Sequence, residues 1–211
     1  MSEERSRDRG LTRQRPIEPA RTALLLVDAQ NHVMDPAAHP PRPEFEADAS
    51  AIAIPNMAAL LAAARGAGLE VVYTVIENLT RDGRDRSLDY KLSGFFVPKG
   101  SAAARVIDAL APGEDEIVLP KTSSSLFNST NFDYLMRNIG IDTIIVAGFL
   151  TDQCVDQTIR DGADRGYYMV CASDACATDT RARHQAALRA FRGYCRTETT
   201  ATLLELIAAA G

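Results

Sequence analysis

The chain carries apolar runs too short for helices and too continuous for half-exposed strands. Thr22-Ala-Leu-Leu-Leu-Val27 and Asp142-Thr-Ile-Ile-Val-Ala147 are the clearest. A strand that is apolar at nearly every position has to be covered on both faces. Parallel sheets meet that demand, because their crossovers lay helices on either side. Leu69–Ile76, Glu116–Leu119 and Tyr167–Ala172 read as further strands. Between them lie Ala/Leu-rich segments with helical spacing. The segment 45–66 stops at Gly66 and Gly68, a short helix is predicted over 101–110, and 130–139 closes at Asn138-Ile-Gly140. Helices at 152–165, 180–191 and 198–209 follow, with a short segment at Gly193–Arg196. The alternation implies an α/β fold: a three-layer α-β-α sandwich around a mainly parallel sheet, with right-handed crossovers.

A chain of 211 residues is long enough to give one such domain a full core. We assign it residues 21–211, and read the Arg/Glu-rich residues 1–20 as a mobile arm. Two stretches break the rhythm. Residues 29–43, with Pro36, His39, Pro40, Pro41 and Pro43, read as an exposed loop. Residues 77–100 have no apolar period, and their length suggests a functional loop. Its Arg81, Arg84 and Arg86 either pair with the interleaved Asp82, Asp85 and Asp89 or bind a substrate carboxylate.

The net charge of −5 argues against nucleic acid as a partner. No apolar run approaches the roughly 20 residues that would span a bilayer. The charged N-terminus lacks the apolar centre of a signal peptide. Four cysteines with no C-x-x-C pair suit free thiols in a reducing cytoplasm.

Ligands in open parallel sheets bind beyond the carboxyl ends of the strands. Three reactive residues fall there. Asp28 ends the first strand, Lys121 follows the third, and Cys154 follows the fourth across the Gly148-Phe-Leu-Thr151 break. Cys154 sits near a helix start, where N–H donors and the helix dipole favour a thiolate. Each residue alone has an ordinary reading, as a cap, a solvated charge or a small buried side chain. Together they make a coherent set: a thiolate attacks a carbonyl, a carboxylate takes and returns a proton, and an ammonium balances the charge. Cys171 reads as core, and Cys176 and Cys195 as structural. His32, His39 and His184 read as surface residues.

The blocks Leu26-Val-Asp28-Ala-Gln30-Asn31, Pro120-Lys121 and Gly148-Phe-Leu-Thr151-Asp-Gln-Cys154-Val155 resemble those of the isochorismatase-like cysteine hydrolase superfamily. The likeness runs from about residue 21 to the end. It implies a Rossmann-like, six-stranded, mainly parallel sheet and an Asp28–Lys121–Cys154 triad. It also implies a cis peptide joining Phe149 and Leu150, and an oxyanion hole from the N–H groups of Leu150 and Cys154. Isochorismatases proper cleave a vinyl ether without a nucleophilic cysteine, so the presence of Cys154 disfavours that activity. Nicotinamidases of the superfamily carry a metal held by Asp and two His. Here the stretch after the second strand, Thr74–Thr80, has no histidine, so neither metal nor cofactor is expected.

What remains is a metal-free hydrolase of a small amide, ureide or N-carbamoyl compound, acting through an acyl-thioester. Asn31, Glu77, Asn78, Phe127, Asn128 and Thr151 are the candidate substrate contacts, and Ser129 or Thr130 the cap of the helix that follows. The alternatives are a nicotinamidase-like or other aliphatic amidase, and a thiol sensor on the same fold. A sensor needs no proton acceptor, so Asp28 beside Lys121 favours the enzyme. The superfamily often forms oligomers, which makes a homodimer or homotetramer the expectation.

Overall fold

The computed structural model describes residues 11–210. Six strands form one sheet: β1 (Thr22–Val27), β2 (Glu70–Ile76), β3 (Ile117–Lys121), β4 (Thr143–Phe149), β5 (Tyr168–Ala177) and β6 (Arg196–Glu198). Their order is β3-β2-β1-β4-β5-β6, and every pairing is parallel. The order reverses between β1 and β4, which leaves a crevice beyond their carboxyl ends.

β1 shows why the apolar runs had to be continuous. Leu24 and Leu26 enter the core on one face, and Ala23, Leu25 and Val27 the core on the other. Fully burying a leucine is worth about 1.5–3 kcal/mol, so a polar residue at any of these positions would be costly. The helices are α1 (Asn31–Met34), α2 (Pro43–Asp48), α3 (Ile54–Ala67), α4 (Leu88–Leu92), α5 (Leu126–Ser129), α6 (Phe132–Ile139), α7 (Asp156–Asp164), α8 (Arg181–Ala190) and α9 (Thr200–Ala208). α2, α3 and α9 cover one face through Phe45, Met57, Leu60 and Leu203. Leu126, Phe132, Met136, Ile159 and Ala187 of α5 to α8 cover the other.

Several boundaries differ from the sequence reading. The segment 29–43 is not a bare loop, since it holds α1 and a tight turn at Pro36–Ala38. The helix expected over 101–110 is two separate single turns, Ala102–Ala104 and Asp108–Leu110. The predicted 130–139 helix is two pieces. Ser125 caps α5, and the Thr130 hydroxyl accepts from Phe132 N–H at 3.1 Å at the start of α6, while Ser129 donates to Ser125 O. α2, a widened turn over Ala49–Ala53 and α3 form one helical stretch, Pro43–Ala67. By length and composition it could cross a membrane, contrary to the expectation that no stretch would. Here one side of it packs on the sheet through Phe45, Ala49, Ala53, Met57, Leu60 and Ala64.

The arm is likewise not free over its described part. Arg15 pairs with Asp142 at 2.9 Å and lies 4.8 Å over the Tyr168 ring, while Ile17 is buried in the core. Residues 11–20 therefore strap the amino ends of β4 and β5; residues 1–10 lie outside the described residues.

Candidate active site

Three strand ends bring Asp28, Lys121 and Cys154 together. Asp28 follows β1 with φ of 52°, an uncommon conformation for a side chain other than glycine. Its N–H donates to Thr74 O at 3.0 Å, and its Oδ1 accepts from the Thr74 hydroxyl at 2.8 Å. Gln30, fully buried, fixes the next turn: its Nε2 donates to Ile76 O at 2.9 Å and its Oε1 accepts from Ile76 N–H at 2.5 Å. Lys121 ends β3 and is fully buried. Its ammonium lies 2.8 Å from Asp28 Oδ2 and 3.3 Å from Cys154 Sγ, and donates to Ser123 O at 3.0 Å.

The turn that carries Cys154, Thr151–Val155, precedes α7. It starts from a close approach between strands. Gly148 has φ of 122°, and a Cβ there would fall 2.1 Å from Val27 O. Only glycine lets β4 pass β1 at that point. The Phe149–Leu150 peptide bond is cis. Leu150 O accepts from the N–H groups of Gln153 at 3.0 Å and Val155 at 3.3 Å, which closes the turn. On the far side, Thr151 Oγ1 lies 2.9 Å from His184 Nδ1, and Asp152 is held by Thr178 and Arg183 at 2.5 Å each.

The electrostatics differ from the simple helix-start expectation. Burial pushes the Cys154 thiol up to about 11; Lys121 pulls it down and Asp28 adds to the rise. Burial also works against the Lys121 ammonium, but Asp28 and Cys154 outweigh it and hold that pKa above the ordinary lysine range. Burial thus favours a neutral Cys154 thiol beside the Lys121 ammonium. Asp28 Oδ2 shares the Lys121 ammonium with that thiol. Burial raises Tyr90, whose hydroxyl lies 3.5 Å from Lys121 Nζ, so it stays a neutral phenol.

A cavity of about 270 Å³ opens over these groups, at the small end of ligand sites. Asp28, Cys154, Leu150, Gln153 and Phe149 form its floor, and Ser124, Tyr90, Phe95, His39, Arg42 and Asp179 are among its walls. None of the six expected substrate contacts lines it. Asn31 is exposed and donates to Ala102 O. Glu77 accepts from Gly100 N–H, and Asn78 is buried behind the loop. Phe127 stacks on Phe132 and Tyr167 in the core. Asn128 lies on a neighbouring groove, and Thr151 is spent on His184. The histidines are not plain surface residues either: His32, His39 and His184 are half-buried, and His39 reaches the cavity.

The walls come from the two irregular segments. Ser87 caps α4, and its N–H donates to Thr122 O at 2.9 Å, which turns Tyr90 inward. Tyr90 and Phe95 stack at 5.0 Å, and Phe95 meets His32 at 4.9 Å. Asp85 ties the loop base by accepting from Leu79 N–H at 2.7 Å and Thr80 N–H at 3.0 Å. The length of 77–100 marked it as functional, but nothing in its pattern singled out Tyr90 or Phe95. Among the described residues no group of three or more His, Cys, Asp or Glu side chains is placed to hold a metal ion.

Comparison with known proteins agrees with this geometry. The isochorismatase domain matches residues 22–202. Ureidoacrylate amidohydrolase RutB of Pantoea ananatis is 32% identical over 175 residues, covering 74% of this chain and 69% of that protein. A cysteine hydrolase structure from Pseudomonas syringae pv. phaseolicola superposes with a TM-score of 0.82 at 30% identity, covering 94% of this chain and 97% of that one. N-carbamoylsarcosine amidase from Thermoplasma acidophilum gives 0.71 at 26%, over 85% and 96%. The chain belongs to the isochorismatase family. Within it, the chain is an amidohydrolase, a hydrolase of non-peptide carbon–nitrogen bonds.

Proposed function

We propose that this amidohydrolase cleaves a small ureide or N-carbamoyl compound through a covalent acyl adduct on Cys154, which for these substrates is a thiocarbamate. The observation that carries the reading is the Lys121 ammonium lying between Asp28 Oδ2 at 2.8 Å and Cys154 Sγ at 3.3 Å. The substrate carbonyl sits over the thiol. Asp28 takes the Sγ proton as sulfur bonds to the carbonyl carbon. Lys121 stabilises the thiolate as it forms and the carboxylate before and after. The N–H groups of Leu150 and Cys154 receive the oxyanion. Asp28 returns the proton to the leaving nitrogen, and ammonia or an amine departs. Water then gives its proton to Asp28 and attacks the acyl carbon, and the C–S bond breaks to restore the thiol. The similarity to proteins named for ureidoacrylate and N-carbamoylsarcosine supports a urea-like group at the reacting end. The four buried free cysteines support a reducing compartment such as the cytoplasm.

Ammonia release from ureido acids, carbamoyl amino acids, nicotinamide and aliphatic amides tests the reading, run beside Cys154→Ala. Turnover of ureides or carbamoyl compounds, lost in the variant, with an acyl adduct on Cys154 by mass spectrometry, is the expected result. Turnover that survives the substitution would refute the covalent route, and preference for nicotinamide would refute the substrate class.

A further inference from the structure

The cavity over Cys154 is not the end of the site. Beside it runs a groove of about 470 Å³, and Asp89 and Ser124 line both. Asp89 is exposed and Ser124 half-buried, so their shared border lies open at the surface. A group that leaves the cavity past these two side chains enters the groove.

The groove is polar throughout. Among the described residues neither an apolar nor a cationic side chain lines it. The arginines that the sequence offered for a carboxylate are elsewhere. Arg84 pairs with Asp82 at the surface, and Arg86 donates to Gly83 O at 2.9 Å and Phe95 O at 2.7 Å. One wall of the groove is fixed by its own bonds. Ser123 and Ser129 donate to Ser125 O at 3.0 and 2.8 Å, and Ser125 donates to Asp161 Oδ2 of α7 at 2.6 Å. Four other lining side chains have no such partner among the described residues. The Thr122 hydroxyl is one, on a residue only 8% exposed. The Asn128 and Gln157 amides and the Asp89 carboxylate are the rest. Buried polar side chains are as a rule hydrogen-bonded, so an unpaired Thr122 hydroxyl on the groove wall calls for a partner from outside the protein.

These four groups set the chemistry of that partner. A hydroxyl and two amides both donate and accept, and a carboxylate only accepts. Asp85 and Asp89, with no cation beside them, repel an anion. An ammonium offers donors alone and leaves the amide N–H groups unmatched. Neighbouring hydroxyls, each a donor and an acceptor, suit all four.

We infer that the groove binds a neutral polyhydroxyl group of the substrate, such as a sugar ring, while the urea-like carbonyl lies over Cys154. This rests on the proposed function and adds to it the group at the substrate's far end.

The test compares glucosylurea with cyclohexylurea, whose ring is the same size without hydroxyls, and with an aminoalkylurea. The wild type is expected to favour glucosylurea over cyclohexylurea by at least about 20-fold in kcat/KM. Asn128→Ala and Thr122→Val each remove one neutral hydrogen-bonding group and should lower that preference about three- to tenfold, mainly through KM for glucosylurea. Asn128 is exposed, so its variant reports even if Thr122→Val fails to fold. Equal wild-type kcat/KM for the two rings would overturn the inference while leaving the proposed function standing. So would turnover of simple ureides but of neither ring, and so would a preference for the aminoalkylurea, which would make the groove a cation site. A preference for glucosylurea that neither substitution lowers would place the sugar elsewhere and also overturn it. Turnover of no ureide or carbamoyl compound at all would remove the proposed function and this inference with it.

Discussion

Cys154 and Cys176 are equally buried, each 5% exposed, and lie at the carboxyl ends of neighbouring strands, with Gly148 of β4 opposite Cys176 of β5. Their surroundings differ. Cys154 faces an ammonium at 3.3 Å and a carboxylate held by the same ammonium. Cys176 faces other thiols: together with burial it pushes the Cys171 thiol well above its ordinary pKa, and Cys195 adds to that rise. Burial disfavours the thiolate of Cys154 and that of Cys171. On the proposed mechanism, what separates the nucleophile Cys154 from a structural thiol is the carboxylate and the ammonium that other strands deliver to it.

The sharpest way to break that contrast is to exchange the two sites' losses. Cys154→Ala should lower turnover by at least about 10⁴-fold, since no other group can carry the acyl chain. Cys176→Ala should leave kcat within a few-fold, although it opens a small void. Comparable losses in the two would erase the distinction. Gly148→Ala attacks the geometry that only the Cys154 region needs. Its Cβ would press on Val27 O, and no side-chain shift can relieve a backbone clash. A loss of about 4 kcal/mol or more in denaturant unfolding is expected; a variant of near-normal stability would show that the β1–β4 approach is not fixed.

Lys121→Met removes the cation and strands Asp28. Loss of one partner from a buried pair costs about 3–5 kcal/mol. Because Lys121 lowers the thiol pKa, its loss should push that pKa further up and slow Cys154 alkylation at any pH below about 11. Unchanged alkylation would mean that the lysine does not act on the sulfur. The smallest effect should come from His184→Gln. Thr151 would lose its ring-nitrogen partner at 2.9 Å, and the nucleophile turn one tether. A few-fold fall in kcat with KM nearly unchanged is the expected reading; a rise in KM alone would place His184 in substrate binding.

The sequence made some of this visible for physical reasons. A strand buried on both faces must be apolar throughout, so β1 and β4 stood out, and strand ends are where parallel sheets place reactive groups, so Asp28, Lys121 and Cys154 could be found. Cavity walls obey no such period. Tyr90 and Arg42 reach the cavity only because two irregular segments fold back over it, held by bonds such as Ser87 N–H to Thr122 O and Arg42 to Val33 O. Thr151 lies at the sheet edge that marks it as a candidate substrate contact, but its hydroxyl is 2.9 Å from His184 Nδ1 on α8. The β6 strand, three residues long, and the strap formed by residues 11–20 are defined by partners far along the chain.

Asp28→Asn offers the most direct test of the claim that Asp28 is the base for a neutral thiol. The carboxylate raises the Cys154 pKa, so its removal should lower that pKa and leave a thiolate paired with Lys121. Iodoacetamide alkylation of Cys154, followed from pH 6 upward, should become faster near neutrality than in the wild type, with its midpoint moved below about 11. Turnover should fall by about 10²–10⁴-fold, the usual worth of a general base. Alkylation and turnover moving in opposite directions is the predicted result. If both fall together, Asp28 serves to form the thiolate in the resting enzyme, and the account of a neutral thiol awaiting its base is wrong.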